Sequence, residues 1–353
     1  MNAVGFYPDV LHLNDWQTAP AVISLKTGCD SRFDGVKTVY TIHNIDYQGV
    51  FDMSILGDVF GFGESVRSTV EFDGMINLTK GAVECADLVT TVSPKYSKEI
   101  QSDEYSHGLG GILTSNSYKI SGIINGIDYA SNDPENDKDI PYNFTSDNLI
   151  GKAKNKAELR RRFGLDDSTD SPVIAMVTRL AEHKGLELVM NIADELISDG
   201  MQFVLLGTGE NRYEEFFRGF AARHPKKAGI SISYDRKLSK LIYAGADMFL
   251  MPSKSEACGL AQMIASRYGT VPIVRETGGL YDTIKPYTPE GGNGFTFAPF
   301  NSADMLYTIR LAHSLYNDAE KWNALIKTVM NVDFSWTASA KKYIETYKTL
   351  LEN

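Results

Sequence analysis

Residues 173–209 read VIAMVTRLAEHKGLELVMNIADELISDGMQFVLLGTG, and this stretch decides the fold. Val173–Val177 is an unbroken apolar run of strand length, and Leu186–Ile197 spaces its apolar residues along one helix face. Phe203–Leu206 is the next apolar run and closes on Gly207-Thr208-Gly209. Strands that are apolar on both faces, separated by amphipathic helices, belong in a parallel sheet covered on both sides. The pattern continues downstream with helices predicted over Tyr213–Arg223, Lys237–Ala244, Leu260–Tyr268 and Gly278–Ile284. The strands between them are Ile230–Ser233, Met248–Met251 and Val271–Val274. A doubly wound, Rossmann-like domain is the expectation, with ligands at the carboxyl ends of its strands.

Working outward, the upstream part repeats the alternation less cleanly. Strands are predicted at Asp9–Leu13, Val36–Ile42, Leu88–Val92 and Lys119–Ile124. Helices are predicted at Gln17–Lys26, Leu78–Ala86 and Pro94–Gln101, the last opened by Ser93 followed by Pro94 in the first turn. Tyr129–Asn148 is rich in Asn, Asp and Pro without apolar periodicity, and reads as a connection between domains. The expected division is therefore 1–148 for a first domain with linker and 149–353 for the second, which closes on a helix over Trp336–Leu351.

Composition narrows the classes. A chain of 353 residues with 43% hydrophobic and 23% charged residues is ordinary globular material, long enough for two cores. A formal charge of −10 argues against nucleic acid as a partner, because phosphate backbones favour basic surfaces. Cys29, Cys85 and Cys258 are scattered, which fits neither a disulfide framework nor a metal site. The opening residues lack the order of a signal peptide, and no apolar run approaches the ~20 residues of a membrane span. A soluble, cytoplasmic protein without a membrane partner is the expectation.

Three strand ends in the second part carry candidate chemistry. After Val177, Arg179 and Lys184 stand five residues apart before a helix. An Arg fork and a Lys point charge aimed at one spot would hold a diphosphate, although a surface loop with solvated cations is the plain alternative. After Met251, Glu256 precedes another helix, either as a favourable first-turn acid or as an acceptor for sugar hydroxyls. Cys258 beside it reads as a packing residue rather than a nucleophile, with no His nearby in sequence. After Val274, Thr277-Gly278-Gly279-Leu280 places two glycines at a helix start, where bare N–H groups suit anions. Three such turns on one predicted ligand face reinforce each other. In the first part, His12–Gln17 and Thr41–Gly49 are strand ends rich in polar and aromatic groups. They read as loop caps or as a sugar-binding wall.

Several strings in order along the chain resemble the bacterial glycogen and starch synthase family. They are PDVLHLNDWQTAP, TIHNIDYQGVF, LTKGAVECADLVTTVSPKYSKEI, INGIDY, VTRLAEHKGLEL, PSKSEACGL, TGGLYDTI and DFSW. The resemblance implies an α/β fold of two Rossmann-like domains, the GT-B architecture, with the active site in the cleft between them. It implies transfer of glucose from ADP-glucose to the non-reducing end of an α-1,4-glucan, with retention of configuration and without metal or other cofactor.

Residue by residue, the resemblance assigns Arg179 and Lys184 to the donor phosphates and Glu256 to the donor glucose hydroxyls. It assigns Cys258, Gly259 and Leu260, with Thr277, Gly278, Gly279 and Leu280, to donor contacts through the backbone. His43 falls where the family brings main chain near the anomeric carbon, Asp15 where it has a facing carboxylate, and Tyr234 near the nucleobase. The family's opening strand and Lys-Thr-Gly-Gly-Leu loop have no counterpart, a deficit on the order of a hundred residues. An incomplete first domain is therefore expected: completed by a separate chain, cut short by truncation, or belonging to a truncated homologue that binds nucleotide-sugar or glucan, or serves as a partner subunit, without turnover. Sucrose-synthase-like transferases carry a second Glu where this chain has Ile264. A glycoside hydrolase built on Glu256 and Asp15 would leave the phosphate turns without purpose.

Overall fold

The computed structural model describes residues 5–28, 31–33 and 35–352, so Cys29 lies outside the described residues. Parallel strands organise two separate sheets. The first sheet contains β1 (Val10–Asn14) and β2 (Lys37–Ile42). An antiparallel excursion follows, made of β3 (Val50–Asp52), β4 (Glu71–Phe72) and β5 (Met75–Asn77), in the order β3-β5-β4. The chain then returns to the first sheet with β6 (Leu88–Thr91) and β7 (Ile120–Gly122), giving the parallel order β1-β2-β6-β7.

The second sheet comprises β8 (Val173–Val177), β9 (Gln202–Leu206), β10 (Ala228–Ser231), β11 (Met248–Met251), β12 (Val271–Arg275) and β13 (Phe295–Phe297). Its order is β10-β9-β8-β11-β12-β13, parallel throughout. From β8 the chain builds outward to β10, then returns to the other side of β8 to lay down β11, β12 and β13. The order therefore reverses between β8 and β11, and helices leaving those two strands diverge to leave a crevice at their carboxyl ends.

The central strands are apolar because both faces are covered. Val173, Ile174, Ala175 and Met176 are buried, as are Phe203, Val204 and Leu205 in β9 and Met248, Phe249 and Leu250 in β11. The helix Leu186–Ser198 turns Leu186, Val189, Ile192, Ala193, Leu196 and Ile197 onto this sheet, at the spacing of one helical face. Helix starts follow local chemistry. Asn77, Ser93 and Asp235 cap their helices by accepting from the N–H groups of Lys80, Tyr96 and Leu238.

By compactness the chain falls into two units. One runs through Asn125 and takes in the segment from Thr337, and the other is Gly126–Trp336. The boundary expected at 148 thus lies inside the second unit, and the terminal helix Trp336–Glu352 groups with the first. Side chains account for both placements. In the second unit Ile140 and Phe144 enter the hydrophobic core, Asn155 Nδ2 donates to the Tyr142 carbonyl at 2.6 Å, and Arg267 pairs with Asp133 at 2.9 Å. In the first unit Ser339 Oγ donates to the Ile124 carbonyl at 2.6 Å, and Tyr347 OH meets His12 Nδ1 at 2.6 Å. Among the described residues no helix is long and apolar enough to cross a membrane.

Candidate active site

In the second unit, the loops after β8 and β11 carry charged side chains to the reversal point. Lys184 leaves a single 3₁₀ turn, Glu182–Lys184, and its Nζ reaches Glu256 Oε2 at 2.6 Å. Both side chains are nearly enclosed, at 15% and 13% exposure, so their attraction is screened far less than that of a surface pair. Ser253, buried at the end of the same strand, donates from Oγ to the same Glu256 oxygen at 3.0 Å. One carboxylate oxygen thus receives two hydrogen bonds from two loops. Lys184, expected with Arg179 as a phosphate-binding pair, is joined here to Glu256.

Arg179 is exposed, and its Nη2 lies 3.4 Å from His183 Nε2 in the same loop. It lines a cavity of about 270 Å³ at the carboxyl ends of β8, β9 and β10, together with Thr178, Gly207, Thr208 and Tyr234. Tyr234 is 92% exposed, so its ring is available to an incoming planar group. Asp235, beside it, is committed to capping its own helix.

The turns at Cys258–Leu260 and Thr277–Leu280 interlock through their backbones. A Cβ at Gly278 would stand 1.8 Å from the Glu256 carbonyl oxygen, and one at Gly279 2.1 Å from that of Cys258. Only glycine fits at either position. The sequence suggests open anion-binding N–H groups at this turn. The Gly279 N–H already donates to the Glu256 carbonyl at 3.2 Å, and the Leu280 N–H to Thr277 at 3.0 Å. Their first task is therefore to seat the Glu256 loop. Gln262, fully buried, supports the same turn by donating to the carbonyls of Cys258 and Gly259 and to Thr283 Oγ1. Cys258 is buried, and Leu260 is 46% exposed.

In the first unit, Asp15 follows β1 with φ 59° and ψ 172°, a backbone region that is almost closed to side-chain-bearing residues. The strain is held by two bonds across the sheet. The Asp15 N–H donates to the Thr41 carbonyl at 2.9 Å, and Asp15 Oδ1 accepts from the His43 N–H at 2.8 Å. His43 Nε2 is 2.9 Å from Asn14 Oδ1, which fixes the imidazole. Asp15, Trp16, Gln17 and Tyr47 line a cavity of about 360 Å³. Asp15 and His43 stand in separate motifs of the sequence, and neither their hydrogen bond nor the strained backbone at Asp15 carries a local signal. Among the described residues no three His, Cys, Asp or Glu side chains gather as a metal site. Burial pushes the Cys85 thiol up to about 11, Glu84 adding to the effect, which leaves it protonated and unreactive at neutral pH.

Known proteins resemble this chain along nearly all of its length. The family model for the starch synthase catalytic domain matches residues 1–115, and that for group 1 glycosyl transferases matches 157–328. The glycogen synthase of Clostridium novyi (strain NT) is 45% identical over 98% of this chain and 74% of its own. The chain belongs to the glycogen and starch synthase family. That family relation extends to the glycogen synthase of Clostridium acetobutylicum, 44% identical over the same shares. The catalytic domain of starch synthase IV from Arabidopsis thaliana, solved with ADP and acarbose, superposes at a TM-score of 0.91 with 35% identity. That match covers all of this chain and 75% of the other. A sucrose-phosphate synthase from Thermosynechococcus elongatus, at TM-score 0.61 and 17% identity, shares the fold. The protein is thus a glycosyltransferase of the GT-B class, and its two parallel sheets are the two Rossmann-like domains of that architecture.

Proposed function

We propose that this glycogen/starch synthase transfers glucose from ADP-glucose to the non-reducing end of an α-1,4-glucan, with retention, in the cytoplasm. The observation that carries the reading is the Lys184–Glu256 pair at the sheet's reversal point, buttressed by Ser253. Before donor arrives, each charge is satisfied by the other. On binding, Lys184 exchanges the carboxylate for a phosphate oxygen, and Glu256 exchanges the ammonium for donor glucose hydroxyls. The site is then preorganised at little cost, because neither group waits unpaired.

In the reaction, the bond from the anomeric carbon to the β-phosphate oxygen breaks, and its electron pair leaves with ADP. Lys184 and the exposed Arg179 stabilise the growing phosphate charge. The acceptor 4-hydroxyl forms the new bond on the same face, and its proton goes to the departing phosphate, so no enzyme nucleophile is needed. Tyr234 offers its ring to the base. The turns at Cys258–Leu260 and Thr277–Leu280 contact the sugar and phosphates through backbone. Asp15 and the His43 main chain are the first unit's candidates for donor contact. That strain is retained at Asp15 rather than relieved by glycine supports a task for its carboxylate.

The test is incubation of the purified chain with labelled ADP-glucose and glycogen, with UDP-glucose in a parallel arm. Each arm is run alone and with a separately supplied segment bearing the Lys-Thr-Gly-Gly-Leu loop. Label in alkali-resistant α-1,4-glucan is the expected result, and a requirement for the second segment would show that transfer needs the Lys-Thr-Gly-Gly-Leu loop. Donor binding with no transfer in any arm would make the protein a binding subunit instead.

A further inference from the structure

Arg275 ends β12, its carbonyl accepts from the Thr277 N–H at 2.9 Å, and its side chain ties together the loops that carry the donor residues. Its Nη1 donates to the Lys254 carbonyl at 2.7 Å and its Nε to the Ala298 carbonyl at 3.2 Å. The Lys254 N–H donates in turn to the His183 carbonyl at 2.8 Å, one residue before Lys184. Lys254 is thus gripped on one side by the Lys184 loop and on the other by Arg275, two residues before Glu256. The guanidinium also lies 5.5 Å from the centre of the Phe300 ring. A Cβ at Gly185 would be 3.3 Å from that same ring, so Phe300 backs the residue after Lys184. Arg275 and Phe300 therefore support both halves of the Lys184–Glu256 pair from behind.

We propose that Arg275 is a positioning residue for glucosyl transfer: it sets the Glu256 loop so that the carboxylate faces the donor sugar. This rests on the donor-site reading of Glu256 given above. The two carbonyls it holds are near solvent, so water can replace the guanidinium without unfolding the domain. The loss then appears in geometry. Misplacement of a substrate-holding group by about 1 Å costs on the order of a hundredfold in rate.

The experiment is a double-mutant cycle of R275Q and E256Q in the full chain, measuring kcat and KM for ADP-glucose with glycogen as acceptor. R275Q is expected to lower kcat/KM by roughly ten- to a hundredfold with thermal unfolding little changed. In the E256Q background the same substitution should cost less than about threefold, because the group it positions is already disabled. R275K, which reaches one carbonyl but lacks the fork, should fall between R275Q and the parent, and it carries the same cycle should R275Q not fold. Wild-type kinetics in R275Q, or an equal loss in both backgrounds, overturns the positioning role. Full activity in E256Q alone is a different result and overturns the donor-site reading itself.

Discussion

Replacing Lys184 by alanine separates the electrostatic contribution of the site from its contribution to folding. The ammonium stands 2.6 Å from Glu256, with both side chains about one-seventh exposed. Removing one member of a fully buried pair costs about 3–5 kcal/mol, since the other charge is stranded. Here Glu256 keeps the Ser253 hydroxyl at 3.0 Å and some contact with water, so a folding loss of roughly 1–2 kcal/mol is expected. For a domain of this size that lowers the melting temperature by roughly 2–8 °C. The loss in the transition state is larger, because the leaving phosphate gains charge in a preorganised, partly dry site. One such donor is worth about 2.7–4 kcal/mol, or on the order of 10²–10³ in kcat. The assay pairs steady-state transfer from ADP-glucose to glycogen with melting followed by circular dichroism. Lys184→Met, which keeps the stem and discards the charge, should share the rate loss. A folded Lys184→Ala protein within threefold of the parent rate would refute the reasoning.

Three further outcomes follow from the geometry. Asp15→Gly relieves a strained backbone worth about 1–3 kcal/mol while giving up the bond to the His43 N–H, so stability should change by less than about 2 kcal/mol. Transfer should collapse even so, and a glycine variant with parental kcat would remove Asp15 from the site. Gly279→Ala puts a methyl 2.1 Å from the Cys258 carbonyl oxygen, so the second unit should lose roughly 1–3 kcal/mol in urea titration. An unchanged midpoint would contradict the interlocked turns. Burial, with the His43 imidazole nearby, lowers the pKa of His12 below its ordinary 6.5. The unfolded chain then binds the extra proton between the lowered value and 6.5. Stability should therefore be held above pH 6.5 and fall as the pH drops through that window. His12→Asn should flatten this acid limb of the melting profile, and an unaltered limb would exclude His12 as its source.

How far the chain can be read locally differs from element to element. The helix Ile150–Phe163 escaped notice because its buried face is polar. Lys152 lies fully inside, its Nζ bonded to the carbonyls of Ala244, Ala246 and Tyr268 and to Thr270 Oγ1, while Arg160 Nε meets Gln202. An apolar-period search cannot find a face built from Lys, Asn and Arg. The excursion β3 to β5 escaped because strands of two or three residues have no measurable period. β13 and the helices Ser302–Tyr316 and Ala319–Met330 went unassigned in the same reading. Where strands are apolar on both faces, as at Val173–Val177 and Met248–Met251, the predicted and observed limits coincide.

The sequence by itself determined the parallel α/β class, the family, and the loops on which the charged candidates lie, because strand runs, turns and motif spacing are properties of neighbouring residues. Tertiary structure alone decided what those candidates meet. Lys184 finds Glu256 across 72 positions, and Arg275 finds Lys254 across 21. Gly278 and Gly279 are required by carbonyls from another loop, and Asp15 is strained by bonds from a neighbouring strand. The Lys184–Glu256 contact depends on the strand order of the second sheet, which reverses between β8 and β11, and the others on which strands lie side by side, β11 with β12 and β1 with β2. No local pattern encodes that order, since it arises only when the helices pack and the sheet closes around its first strand.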